Sequence, residues 1–173
     1  SSVQNSSSMF HGITIWADNV TVDLKGFSMI GDETAGLHGV TIEGSHRNIT
    51  ICDGTIRDFD NGIYENDSLG TGHRFIGIKV LSNKNDGIRL FGNNHLVRDC
   101  TVSDNGTSAT SDIHGILVNG DSSVTNNRVY NNGGSVFGSV EGIKAGNGCE
   151  VIGNVVSNNG IGAGSTKGIY TNP

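Results

Sequence analysis

The sequence predicts an all-β chain wound as a single-stranded, right-handed parallel β-helix: a three-sided solenoid of about six to seven coils, each 23–28 residues long. Three observations predict it. A Gly-Ile or Gly-Val pair recurs at Gly12, Gly39, Gly62, Gly87, Gly115, Gly142 and Gly168, with gaps of 27, 23, 25, 28, 27 and 26 residues. The chain holds 27 Gly and 20 Asn in 173 residues but one Pro, at its last position. That mixture suits frequent turns that need left-handed backbone. The apolar residues are mostly Ile and Val, which pack well on pleated surfaces. Few segments space them for a long helix.

Each unit has the same internal order. A short strand follows the Gly, as in GITIW, GVTIE, GIYEN, GIRLF, GILVN, GIKAG and GIYTN. A second strand comes after a polar gap, as in NVTVDL, NITIC, HLVRD and CEVIG. A tight bend leads to a third, as in GTIRDF, GIKVLS, CTVSDN, NRVYNN and NVVSNN. An Asn- and Asp-rich turn then returns the chain to the next Gly. One coil cannot bury its own inward side chains, so coils must stack and pair strands at about 4.8 Å. Alternation points Ile13 and Ile15 inward and Thr14 and Trp16 outward. Asn127 and Asn154 fall at the bend where Gly54 sits earlier. Asn83, Asn105, Asn132 and Asn159 gather near the third turn with some slippage; turn chemistry accounts for both sets. Residues 1–10 form an N-terminal segment or partial cap, through Val3, Met9 and Phe10. Residues 11–173 form the β-helix, which shows no cap at Pro173 and is expected to be open at that end.

Composition narrows the function. The net charge is −6 and the basic residues are scattered, so no nucleic-acid footprint is visible. No apolar run is long enough to span a membrane. Cys52, Cys100 and Cys149 fall at three different positions of the unit, so they read as free thiols rather than a disulfide framework or zinc site. Asp53, Asp58 and Asp60 cluster in CDGTIRDFD and offer oxygen ligands for Ca²⁺, but acidic turn residues explain them as well. No cofactor is expected. The sequons at Asn5, Asn19, Asn48, Asn66 and Asn105 are about as many as composition alone produces.

The stretches ITIWADNVTVDLKGFSMIG, NITICDGTIRDF, LVRDCTVSDNG and VTNNRVYNNG resemble the right-handed β-helix repeat family that groups with pectate lyases, alginate epimerases and NosD-type periplasmic proteins. The resemblance covers nearly the whole chain and rests on scaffold residues. It implies the fold, and an extracellular, cell-surface or periplasmic protein, without naming a reaction. The Asp-Pro-His of the epimerases, the Arg-x-Pro-x-x-Arg of the lyases and the polygalacturonase Asp-Asp and Gly-His-Gly are missing. Gly72-His73-Arg74 is a partial echo of the last.

The outward face of the first strand is the candidate surface. One column reads Thr14, Thr41, Tyr64, Arg89, Leu117, Lys144 and Tyr170. Its neighbour reads Trp16, Glu43, Asn66, Phe91, Asn119, Gly146 and Asn172. Aromatic rings offer apolar faces to sugar C–H groups, and Arg and Lys grip acidic groups. Trp16, Glu43, Tyr64, Arg89, Phe91, Lys144 and Tyr170 are therefore the candidate polysaccharide-binding residues. Ionisable residues also precede many of the repeat glycines: His11, His38, Asp86, His114, Glu141 and Lys167. A lyase or epimerase on an acidic glycan would use Arg89 and Lys144 to neutralise a carboxylate and His114 or Tyr64 to carry the proton. Ordinary turn chemistry explains the same residues. The sequence thus supports a polysaccharide-binding β-helix first, and a lyase or epimerase second. A structural fibre, adhesin or self-assembling module comes third, stacking end to end or side by side.

Overall fold

The computed structural model describes residues 2–4, 10–107, 112–134, 138–161 and 164–172. Among them every strand pairing is parallel and no helix occurs. The strands stack as a β-solenoid of about six turns. One seven-stranded sheet holds the strands that follow the repeat glycines: Ile13–Ile15, Val40–Ile42, Ile63–Glu65, Ile88–Arg89, Ile113–Val118, Ser139–Ala145 and Ser165–Thr171. The second and third strands of each unit join in one 11-stranded sheet. In two units they run continuously through the bend, as Thr50–Arg57 and Arg74–Leu81.

Three corners shape each coil from the second onward, and they fall five residues apart. Asn94, Asp99 and Asp104 have φ of 58°, 56° and 58°. Asp121, Asn126 and Asn131 repeat the pattern one coil on, with φ of 54°, 57° and 55°. Asn and Asp tolerate this left-handed region because their short side chains bond locally. Each corner aims the next residue inward, so three inward columns run along the solenoid. Asn83, Asn105, Asn132 and Asn159 form the third column. Each of the first three receives a bond from the coil before it and gives one to the coil after it. They stack without slippage. Asn127 and Asn154 stack in the second column, above Gly54, Ile78 and Cys100.

The core is the Ile/Val column between these corners, including Ile42, Ile51, Ile63, Val80, Ile88, Val102, Ile116 and Ile143, all fully buried. Six of the seven repeat glycines, all but Gly168, have a steric cause. A Cβ on Gly115 would meet Val129 Cγ1 at 2.5 Å and the carbonyl of Gly142 at 2.6 Å. The first-strand sheet thus approaches the third strand too closely for any other residue.

The backbone of Ser2–Gln4 pairs with Ser28–Ile30. Met9 and Pro173, named for the cap and the open end, lie outside the described residues. The three cysteines are free. Cys100 sits in the second inward column, and burial pushes its thiol up to about 11. The acidic trio Asp53, Asp58 and Asp60 does not converge. Asp58 pairs with Arg57, while Asp60 accepts from Gly36 N–H and Asn85 Nδ2.

Candidate functional site on the first-strand face

The first outward column forms residue by residue. Thr14 pairs in register with Thr41, Thr41 with Tyr64, Tyr64 with Arg89, Arg89 with Leu117, Leu117 with Lys144, and Lys144 with Tyr170. Alternation makes them share one face. The face is not uniformly open. Thr41 is buried beside His11, whose Nδ1 lies 3.4 Å from its hydroxyl. Leu117 is buried too.

Rings line the first coils. His11 stacks on His38 at 5.1 Å, His38 meets Tyr64 at 4.4 Å, and Tyr64 meets Phe91 edge-on at 6.1 Å. Trp16 is 69% exposed, and its Nε1–H donates to Glu43 at 3.1 Å. Lys167 lies over the Tyr170 ring at 3.6 Å. The ring column leads to an open cleft of ≈ 440 Å³ lined by Arg89, Phe91, Asp112, His114, Leu117, Asn119 and Lys144. Arg89, Phe91, His114 and Lys144 are thus brought together. Trp16, Glu43, Tyr64 and Tyr170 do not line this cleft. Asp112 and Asn119 were not singled out as site residues.

The residues before the repeat glycines do something the sequence did not reveal. His11 Nδ1 accepts the backbone N–H of His38 at 3.0 Å. Asn61 Oδ1 accepts that of Asp86 at 3.0 Å, and Asp86 Oδ1 that of His114 at 2.6 Å. Each of these side chains satisfies an N–H of the next coil, whereas the inward asparagines satisfy one of the coil before. Burial, and then the neighbouring His11, lower the pKa of His38 to about 4. Asp86 binds in two directions at the cleft: Oδ1 lies 3.0 Å from His114 Nδ1, and Oδ2 takes Arg89 Nη1 at 2.8 Å. His114 Nε2 lies 3.4 Å from Glu141 Oε2 without a hydrogen bond.

A second cluster was missed entirely. Glu65 takes the last position of the Ile63–Glu65 strand, where other coils place Ile15, Ile42, Leu90, Val118, Ala145 and Thr171. It is fully buried with His73 and His95, whose Nε2 atoms lie 3.0 and 3.1 Å from its carboxylate oxygens. Gly70 and Gly92 close over it, leaving no room for a Cβ. The three residues are close enough to be considered as a metal group. The rings argue otherwise. The N–H of Ile49 donates to His73 Nδ1, and the N–H of His73 to His95 Nδ1, each at 3.2 Å. A neutral imidazole that accepts at Nδ1 carries its proton on Nε2 and has no lone pair there for a metal. The rings also stack 14° from parallel at 4.8 Å, so their Nε2 axes do not converge. The set therefore reads as a carboxylate flanked by two Nε2–H groups, within contact distance but without the geometry of a formed hydrogen bond. Burial alone would raise the Glu65 carboxyl, but His73, His95 and Gly92 N–H override it and hold it at about 2. His73 faces the core, so Gly72-His73-Arg74 is no surface catalytic motif. The signal was present in the sequence: a carboxylate at an inward position needs buried partners.

Asp23, Cys52 and Asp53 lie near one another on the opposite side. Burial, then Asp23 and Asp53, raise the Cys52 thiol pKa. No helix of the described chain is long and apolar enough to cross a membrane. Comparison with protein-family models, curated proteins and solved structures found no match for the chain.

Proposed function

We propose that the first-strand face binds a polysaccharide at the cell surface or beyond it, with the cleft from Arg89 to Lys144 as its principal subsite. One observation carries this reading: a column of rings from His11 through His38 and Tyr64 to Phe91 opens into that cleft. A linear glycan along the sheet would cross successive coils. Its C–H faces would meet Phe91 and Leu117, and its polar groups Asn119 and Lys144. The test is a glycan array with the wild-type chain and with Phe91→Ala and Lys144→Ala. Binding that both substitutions weaken, with far-ultraviolet circular dichroism unchanged, supports it. Binding indifferent to both removes the cleft from the reading.

One observation favours a lyase or epimerase as the second reading: Asp86 holds His114 Nδ1, as an acid orients a general base. Against it, His114 is only 3% exposed and Asp86 1%, and a base must reach a substrate C–H. New absorbance of unsaturated products on acidic glycans, lost in His114→Asn, would favour the second reading over simple binding.

A further inference from the structure

The two ends of the solenoid fit one another. Among the described residues the seven-stranded sheet runs from Ile13–Ile15 at one end, the head, to Ser165–Thr171 at the other, the tail. Along this sheet a repeat glycine and the residue after it donate to the coil that follows. Gly12 N–H reaches the His38 carbonyl and Ile13 N–H that of Gly39; Gly39 and Val40 do the same to Asn61 and Gly62. By this pattern the N–H groups of Gly168 and Ile169 point off the tail, and the carbonyls of His11 and Gly12 point off the head. Edges of this kind are templates for another chain. The tail also bares its core column: Ile169 is 47% exposed, while its partner in register, Ile143, is fully buried. A Cβ on Gly142 would meet the Gly168 carbonyl at 2.6 Å, and the earlier repeat glycines are as tight. On Gly168 it would meet nothing nearer than Val156 Cγ1 at 3.9 Å.

The ends are stepped in matching fashion. The tail adds one first strand, Ser165–Thr171, beyond its last third strand, Val155–Ser157. The head adds one third strand, Ser2–Gln4, ahead of its earliest first strand, Ile13–Ile15. With head set on tail in the same direction, the two added strands share one layer. Ser165–Thr171 then lies beside Ile13–Ile15 of the next copy, and Val155–Ser157 beside its Ser2–Gln4. The Gly168 and Ile169 N–H groups reach the carbonyls of His11 and Gly12, so the coil-to-coil interface inside the chain continues from copy to copy. Formal charge agrees. Lys167 is the one charged residue of Ser165–Thr171, and residues 11–37 carry Asp18, Asp23, Asp32 and Glu33 against Lys25. A cationic edge thus meets an acidic coil. A tail-to-tail pair would leave both steps unfilled.

We infer that copies of this chain associate head to tail, the Ser165–Thr171 edge of one receiving the Ile13–Ile15 edge of the next. Such a contact is heterologous and does not close on itself, so it grows into filaments. The inference stands apart from the glycan reading, although stacking would carry the outward column from Tyr170 on to Thr14 of the next copy. The experiment is sedimentation velocity of the purified chain over about a hundredfold range of concentration, with Gly168→Ala beside wild type. The mass of the wild-type protein should rise with concentration, past a dimer and without a fixed end. Gly168→Ala should weaken association about tenfold or more, because its Cβ has room in the single chain but meets the Gly12 carbonyl across the contact. Its circular dichroism should match wild type, and at the lowest concentration its thermal unfolding should equal or exceed it. A monomer throughout the range overturns the inference. So does association that stops at a dimer, which marks a contact of like ends. Growth that Gly168→Ala leaves unchanged overturns it too, since another surface would then carry the assembly.

Discussion

Asn105 donates from Nδ2 to Oδ1 of Asn132 at 2.8 Å, and its backbone N–H reaches the same oxygen at 3.2 Å. One side chain one coil away thus satisfies two donors. Asn132 in turn donates to the Val102 carbonyl at 3.1 Å and to Asn159 at 2.8 Å. Asn105, Asn132 and Val102 are shut away from water, where an unmade bond costs its full desolvation.

Asn132→Ala should therefore destabilise the chain by about 3 kcal/mol, since several buried partners lose a bond worth about 1–3 kcal/mol each. Asn131, the exposed corner residue before it with φ of 55°, should tolerate Gly within about 0.5 kcal/mol. Urea unfolding of the two variants checks the contrast. Equal effects would mean that the ladder does not hold the coils.

A repeat glycine and a turn glycine should respond differently. Gly115→Ala forces a Cβ to 2.5 Å from Val129 Cγ1, and should cost about 3 kcal/mol by overpacking. Gly134→Ala meets nothing within 4 Å and should be neutral or stabilising by about 0.5 kcal/mol. Thermal unfolding of both proteins separates a packing cause from a merely compositional one.

Acid should weaken the fold in two steps. Folded His38 stays neutral to about pH 4, while the unfolded chain binds that proton near the ordinary value of 6.5. The unfolded state then holds more protons, so stability falls as pH drops from 6.5 towards 4. Glu65 follows lower: ionised to about 2 when folded and protonated from 4.5 when unfolded, its contribution fades between those values. Unfolding midpoints across this range test it, and His38→Gln should flatten the upper step alone.

The interior cluster should take no metal. After incubation with Zn²⁺ or Co²⁺ and desalting, elemental analysis should find none dependent on Glu65. Nitrogen shifts of His73 and His95 should show protons on Nε2. One equivalent of metal, lost in Glu65→Gln, would contradict the tautomers drawn from Ile49 and His73 N–H.

The first-strand column from Thr14 to Tyr170 was legible because a Gly-Ile or Gly-Val pair fixes the phase of each coil, and alternation does the rest. The bend was read one residue late, at Asn127 and Asn154, whereas the left-handed corners are Asn126 and Gly153; Asn at the inward position serves the ladder, which a linear sequence does not separate from turn chemistry. Glu65 with His73 and His95 was not read, because the three come from different turns of two coils and only stacking unites them. Asp86 and His114 were read as turn residues or catalysts. Their bonds run between coils, which a linear sequence displays only once the register is fixed.

The central claim is that a glycan occupies the cleft on the first-strand face. The most direct measurement is amide chemical-shift mapping during titration with an oligosaccharide bound on the glycan array. Saturable shifts confined to Arg89, Phe91, His114, Leu117, Asn119, Lys144 and their neighbours are predicted, with Asp53 and Lys79, which line a separate hollow, unmoved. Saturable shifts centred elsewhere, or none with any glycan, would contradict it.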